Sequence, residues 1–307
     1  MVLLFIFVAF AFGAIFGSFL NVCIHRIPRG ESVVFPGSAC PGCHRSIKAY
    51  DNIPVLSWLM LGGRCRQCEY AISSRYIAVE ILTGLLFAVV FWRFGLSLSA
   101  LKYCIFSFLI TGLVFIDAEW KLLPDAFTLP GFLIGLTFSI FVPVNHLLAS
   151  FWPGMITFQK FPQHTWRFMS FADSLLGAAI GASFIYGVAF LYLQARGIEG
   201  MGMGDVKLMA MVGAFLGTKL TVLTIFGASF AGTIFGLWTI YYVWQKRLRR
   251  LLQRHIDLLA ARRRAWNSAR MVYRYYQLPF GVFLGGMAML ALFFGNALMS
   301  WYWHRFL

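Results

Sequence analysis

The chain reads as an all-α polytopic membrane protein of about eight transmembrane helices with a small cytoplasmic zinc-ribbon domain. Three observations predict this. Of its 307 residues, 60% are hydrophobic, 18% aromatic and only 12% charged, with a mean hydropathy of +0.75, too apolar for an ordinary soluble domain. Apolar runs recur at roughly the length a bilayer demands, about 20 residues. Two Cys-x-x-Cys pairs share the first long polar loop.

The expected spans are 2–22, 76–94, 98–116, 126–143, 175–195, 204–217, 221–244 and 279–303. The first lacks a basic leading region, and its positive charges, Arg26 and Arg29, follow it. It therefore reads as an uncleaved anchor with its amino end outside. In the sixth, the run from Leu208 to Gly217 is too short to cross alone and borrows the glycine-rich segment before it. A re-entrant or broken helix is the alternative, since irregular backbone is tolerated where protein or a cavity covers it. Alternating eight spans places loops 23–75, 117–125, 196–207 and 245–278 in the cytoplasm, together with 20 of the 26 Lys and Arg residues. That is the direction of the positive-inside rule. The resulting division is a first transmembrane helix (1–22), a four-cysteine domain (23–75) and a membrane core (76–307) with a basic cytoplasmic insertion at 245–278.

Cys40-Pro41-Gly42-Cys43 and Cys65-Arg66-Gln67-Cys68 are separated by 21 residues, close to zinc-ribbon spacing. Each pair can aim two thiolates at one ion, and four soft ligands in a tetrahedron favour zinc, with iron able to use the same cage. Disulfides are the rival reading and are disfavoured in a reducing cytoplasm. A closed four-thiolate site leaves no position for water, so its metal is structural. Cys23 and Cys104 fall outside the pattern and read as packing residues.

Acidic residues are scarce, 11 in all, yet Asp117 and Asp205 both stand at the ends of apolar segments on the same expected face. A carboxylate beside hydrocarbon is costly and marks a functional site by default. Two brought together could share a proton, one acting as general base on a water and the other donating to a carbonyl. The plainer alternative is that each caps or flanks a helix.

Taken together, the motifs resemble one family. Gly17-Ser18-Phe19-Leu20-Asn21-Val22, His25-Arg26, Pro28, the two Cys pairs, Ser74-Arg75-Tyr76 and Glu80 are similar to the amino-terminal half of type IV prepilin peptidases. Ile116-Asp117, Leu123-Pro124-Asp125, Gly200-Met201-Gly202-Met203-Gly204-Asp205 with Lys207-Leu208, and Pro279-Phe280-Gly281 follow in the family's order. The resemblance implies a bacterial inner-membrane enzyme that cleaves prepilin and pseudopilin leaders and N-methylates the new amino terminus with S-adenosylmethionine. It implies Asp117 and Asp205 as the catalytic pair. Asp125, Gly202, Gly204 and Lys207 are expected to support the site. Asp125 reads as the N-cap of the fourth span, because Pro124 breaks any helix continued from Asp117. The glycines around Asp205 would let backbone and substrate approach the carboxylate, or simply let helices touch. They do not form the spaced dinucleotide fingerprint, and no strand-forming run precedes them.

Three features depart from the family pattern: Trp120, a longer loop at 144–174 with His146, Trp152, His164 and Trp166, and the basic stretch Gln245 to Tyr276. Within 246–274, ten Lys and Arg alternate with apolar residues around the lone acid Asp257, as in an amphipathic helix on anionic headgroups. The net charge of +15 thus reports membrane attachment more than nucleic-acid binding, which is not expected. Docking of an acidic partner is a rival for this segment. His25 beside Arg26 reads as facing headgroups or organising the loop more readily than as a proton carrier. Two other classes compete with the enzyme: a cation or proton transporter, which predicts neither a zinc ribbon nor acids at one face, and a non-catalytic pilus-assembly protein.

Overall fold

The computed structural model describes residues 2–143, 163–197, 202–253, 257–275 and 279–306. His146, Trp152, Gly200 and Met201 lie outside the described residues. The described elements are helical: α1 (Val2–Arg26), the short α2 (Leu56–Met60), α3 (Ser74–Phe94), α4 (Leu98–Trp120), α5 (Asp125–Phe141), α6 (Gln163–Arg196), α7 (Met203–Leu252), α8 (Leu258–Tyr275) and α9 (Phe280–Phe306). Serines start two of them. Ser73 accepts from the Arg75 N–H and Ser97 from the Ala100 N–H, satisfying donors that the first turn leaves free. Among the described residues six helices are long and apolar enough to cross a membrane, and α5, at 17 residues, is a shorter apolar helix. The expected eight segments correspond to these six with α5 added and α7 divided in two; by length and composition alone six qualify as spans.

α7 decides the architecture. Its first arm is buried on all sides: Leu208, Met209, Met211, Val212, Ala214 and Phe215 are fully enclosed. A helix apolar all round belongs in the middle of a bundle. α5, α6 and α9 pack against it, while α1 pairs with α3 and α4 joins the two groups. The rings of Phe106 on α4 and Phe215 on α7 lie 4.9 Å apart. Contact with α6 is backbone-close: a methyl group on Gly213 would come within 2.3 Å of the Gly177 backbone. Small residues permit such an approach between membrane helices. The arm ends at Gly217, whose φ of 74° and ψ of 176° break the helix, and beyond it Thr218 donates to the Asp173 carbonyl at 3.2 Å. The broken-helix alternative for 204–217 is therefore the arrangement found.

The loop between α1 and α3 folds as two like knuckles. In each, the first cysteine is flanked by an isolated antiparallel bridge, Ala39 to Ser46 and Arg64 to Ala71. Cys40 N–H donates to Arg45 and Cys65 N–H to Tyr70, both at 3.0 Å. Arg66 from the second knuckle pairs with Asp51 at 2.7 Å, and this guanidinium holds the Asp51 carboxyl below its usual range. At the other end of the chain, α8 is amphipathic as its sequence suggests. Its narrow alanine face, Ala261 and Ala265, packs on Trp244, Leu248 and Leu251 at the end of α7, so that face is covered by protein. Leu259, Trp266 and Met271 point outward.

Candidate active site

Three helix ends converge at one end of the bundle. Asp117 stands in the last turn of α4, Asp205 in the first turn of α7, and Val282 in the first turn of α9. Val282 N–H donates to Asp117 Oδ2 at 3.0 Å. A helix amino terminus presents free N–H groups and a partial positive charge, so a carboxylate fits there. Asp117 and Asp205 are both buried, at 5% and 8% exposure, as are Glu80 and Asp173 elsewhere in the bundle. They lie within electrostatic reach of each other, and the Asp205 carboxylate also meets the Gly202 backbone N–H. Leu123 packs beneath both: a methyl group on Gly204 would meet its Cβ at 2.8 Å, and one on Gly281 its Cδ1 at 3.1 Å.

The glycines divide between the two readings. Gly204 is needed for helix contact with Leu123, whereas the space beside Gly202 is open, the Gly204 nitrogen at 3.8 Å being its nearest neighbour. Gly202 therefore leaves room above Asp205. Gly281 was legible only as part of the Pro279-Phe280-Gly281 motif, and its role was not: a methyl group there would sit 2.9 Å from Asp117 Oδ2. Val282 carries no signal at all, because its backbone makes the contact.

Asp125 and Lys207 form a pair, with Nζ at 2.6 and 2.8 Å from the two carboxylate oxygens. The expectation that Asp125 caps the fourth span is corrected. Pro124 occupies the N-cap position at φ −70° and ψ 139°, Asp125 is the first residue of α5, and no side chain caps the helix. Proline holds the extended entry geometry by itself, which leaves the Asp125 carboxylate for Lys207. Nearby, Arg75 pairs with Glu119, joining the start of α3 to the end of α4. The Arg29 guanidinium lies 5.0 Å from the Trp120 ring, a contact that accounts for an aromatic residue at this edge. Arg29 also donates to the His25 carbonyl at 3.0 Å, placing His25 with the loop.

The four cysteine sulfurs Cys40, Cys43, Cys65 and Cys68 lie within 4.8 Å of one another and can hold a metal ion. Zinc–thiolate bonds of about 2.3 Å make a tetrahedron with edges of about 3.8 Å, and Cys40 Sγ to Cys68 Sγ is 3.7 Å. The donor set thus fits zinc. Backbone N–H groups of Gln67 and Cys68 bring the Cys65 thiol down to about 7, favouring the ligating thiolate. Among the described residues all six cysteines are free of disulfides.

Fold and site define a multi-pass membrane protein with two buried carboxylates at one end of a helical bundle, beside a four-cysteine module. Residues 11–94 match the bacterial peptidase A24 N-terminal domain, and residues 103–237 match the type IV leader peptidase family. The chain belongs to the type IV leader peptidase family. Similar relatives are the prepilin leader peptidase/N-methyltransferases of Pseudomonas aeruginosa, 35% identical over 73% of this chain and 77% of that one, and of Aeromonas salmonicida, 31% identical over 95% and 92%. That of Neisseria gonorrhoeae is 35% identical over 72% of this chain and 78% of its own. No solved structure matches.

Proposed function

We propose that this protein is an aspartic endopeptidase of the bacterial inner membrane that removes the leader of type IV prepilins and pseudopilins at the cytoplasmic face, then N-methylates the new amino terminus with S-adenosylmethionine. One observation carries the peptidase assignment: Asp117, fixed by the first turn of α9, and Asp205, opening α7, are brought to the same end of the bundle from positions 88 residues apart in the chain.

The reaction is hydrolysis without a covalent enzyme intermediate. One carboxylate of the pair takes a proton from a water whose oxygen bonds to the scissile carbonyl carbon. The other carboxyl gives its proton to the carbonyl oxygen. Collapse breaks the carbon–nitrogen bond, and the departing amine takes up a proton. The two acids titrate as a unit. The Lys207 to Asp125 pair, Gly202 and Gly204 position the start of α7 and keep its approach open to an extended segment. Residues 23–75 form a zinc-stabilised cytoplasmic domain, and 76–307 form the catalytic membrane core. The basic segment 246–274 binds anionic headgroups through its charges, while α7 covers the alanine face of α8.

The test is cleavage of a prepilin-like substrate in liposomes by wild type, Asp117→Asn and Asp205→Asn, read by mass spectrometry. A single leader cut lost in both variants, with expression unchanged, is the expected result. A cut that survives in the double variant overturns the aspartate assignment.

A further inference from the structure

The segment that follows α1 is built to present two apolar side chains. Arg26, the last residue of α1, donates from Nη1 to the Ser32 carbonyl and from Nη2 to the Gly37 carbonyl, both at 3.1 Å, and so clamps the two ends of a short loop. Ser32 Oγ accepts from the Val34 and Phe35 N–H groups, both at 3.3 Å, which curls the loop into a turn. Val33 packs against the hydrophobic core of the bundle. Val34 and Phe35 are left 66% and 77% exposed, and Ile53 extends the same apolar surface. An exposed apolar patch on a loop fixed in this way marks an interaction site.

We propose that Val34 and Phe35 insert into the lipid bilayer beside α1, so that the four-cysteine module is anchored to the membrane surface by its own loop. The proposal is independent of the peptidase and methyl-transfer readings and rests on α1 being a membrane span.

The groove beside the loop shows what covers it. It has a volume of about 550 Å³ and is walled on one side by Ile15, Phe19 and Val22 of α1 and on the other by Val33, Val34 and Ile53. Ile15 precedes Arg26 by about 16 Å of helix rise. Ile15 and Phe19 are exposed on a helix long and apolar enough to cross a membrane, so they face hydrocarbon. The groove thus opens into the acyl layer at one end and meets the loop at the other. A soluble partner would have to enter that layer to fill it, whereas an acyl chain is already there. Apolar side chains of interfacial elements settle about 5–10 Å into the same boundary. Charge placement agrees: Arg26 and Arg29 stand at the root of the loop, as anionic headgroups favour. On its other side the module is tied to α3, where the Glu80 carboxylate accepts from the Val55 N–H at 2.7 Å. Two ties to helices and one in lipid fix the height of the module above the bilayer.

The experiment is photocrosslinking of the full-length, zinc-loaded protein in liposomes of phosphatidylethanolamine and phosphatidylglycerol, with benzoylphenylalanine in place of Phe35. Adducts are read by mass spectrometry of the intact protein. Gln67, exposed in the second knuckle, carries the same probe as the control. Lipid adducts at position 35 are expected at least tenfold above those at position 67, and unchanged when a prepilin-like substrate is added. Should the Phe35 variant fail to hold zinc, the probe at Val34 decides. Lipid adducts at the loop no more frequent than at position 67 overturn the anchor. Lipid adducts that give way to a substrate adduct assign the loop to the apolar segment of the substrate and overturn the lipid assignment.

Discussion

Lys207 Nζ lies 2.6 Å from Asp125 Oδ1, so an ion pair joins the second turn of α7 to the first turn of α5, two residues beyond Asp205. Both side chains are partly exposed, at 34% and 56%, and such pairs contribute about 0.2–1 kcal/mol. Their work is therefore placement. Lys207→Ala or Asp125→Ala is expected to lower cleavage a few fold without loss of folding, and the exchanged pair Lys207→Asp with Asp125→Lys to recover part of it. A complete loss in Asp125→Ala, not relieved by the exchange, would show a direct chemical role for Asp125.

Gly281 is packed against the Asp117 carboxylate itself. A methyl group there would stand 2.9 Å from Asp117 Oδ2 and 3.1 Å from its Cγ, so Gly281→Ala must move the carboxylate. Misplacing a catalytic group by about 1 Å can cost roughly 100-fold in rate. The expected outcome is a fall of that order in turnover with substrate binding largely kept. A variant with wild-type turnover would mean that Asp117 does not need its seat on α9.

Apolar runs and the Cys-x-x-Cys spacing were readable because each is a local pattern: length reports a span and a two-residue gap reports a knuckle. Asp117 and Asp205 were readable because acids are rare in this chain. The seat of Asp117 was not, since Val282 is 165 residues away and contributes a backbone N–H that no side chain advertises. Asp125 was misplaced by one position because its preference for capping competes with the fixed geometry of Pro124 and with Lys207, a partner 82 residues distant. The basic stretch read as an amphipathic helix on the membrane surface, and only the contact with α7 shows that protein covers Ala261 and Ala265.

Stripping the metal should separate the two halves of the molecule. With zinc bound, the four thiolates are protected from alkylation. In metal-free protein Cys65 is expected to react first, its rate rising as pH passes about 7, because a lowered thiol is already thiolate above that pH. Mapping alkylated peptides between pH 6 and 9 checks this. Because the four thiolates join the two knuckles of residues 23–75, metal removal should also lower the melting temperature more than it slows leader cleavage. Cleavage abolished in metal-free protein that still melts like the zinc-loaded form would give the metal a part in the chemistry.

The break in α7 rests on Gly217, whose φ of 74° with ψ of 176° lies in a region nearly reserved for glycine. Forcing another residue there costs about 1–3 kcal/mol. Gly217→Ala should therefore lower the melting temperature in detergent. It should also slow cleavage, because straightening α7 swings the buried arm that carries Asp205. Gly187→Ala on α6 is the control: a methyl group there meets nothing within 4 Å, and alanine favours a helix over glycine by about 1 kcal/mol. If Gly217→Ala melts and cleaves like Gly187→Ala, the bend is imposed by packing against α6, and the special backbone of Gly217 is its consequence.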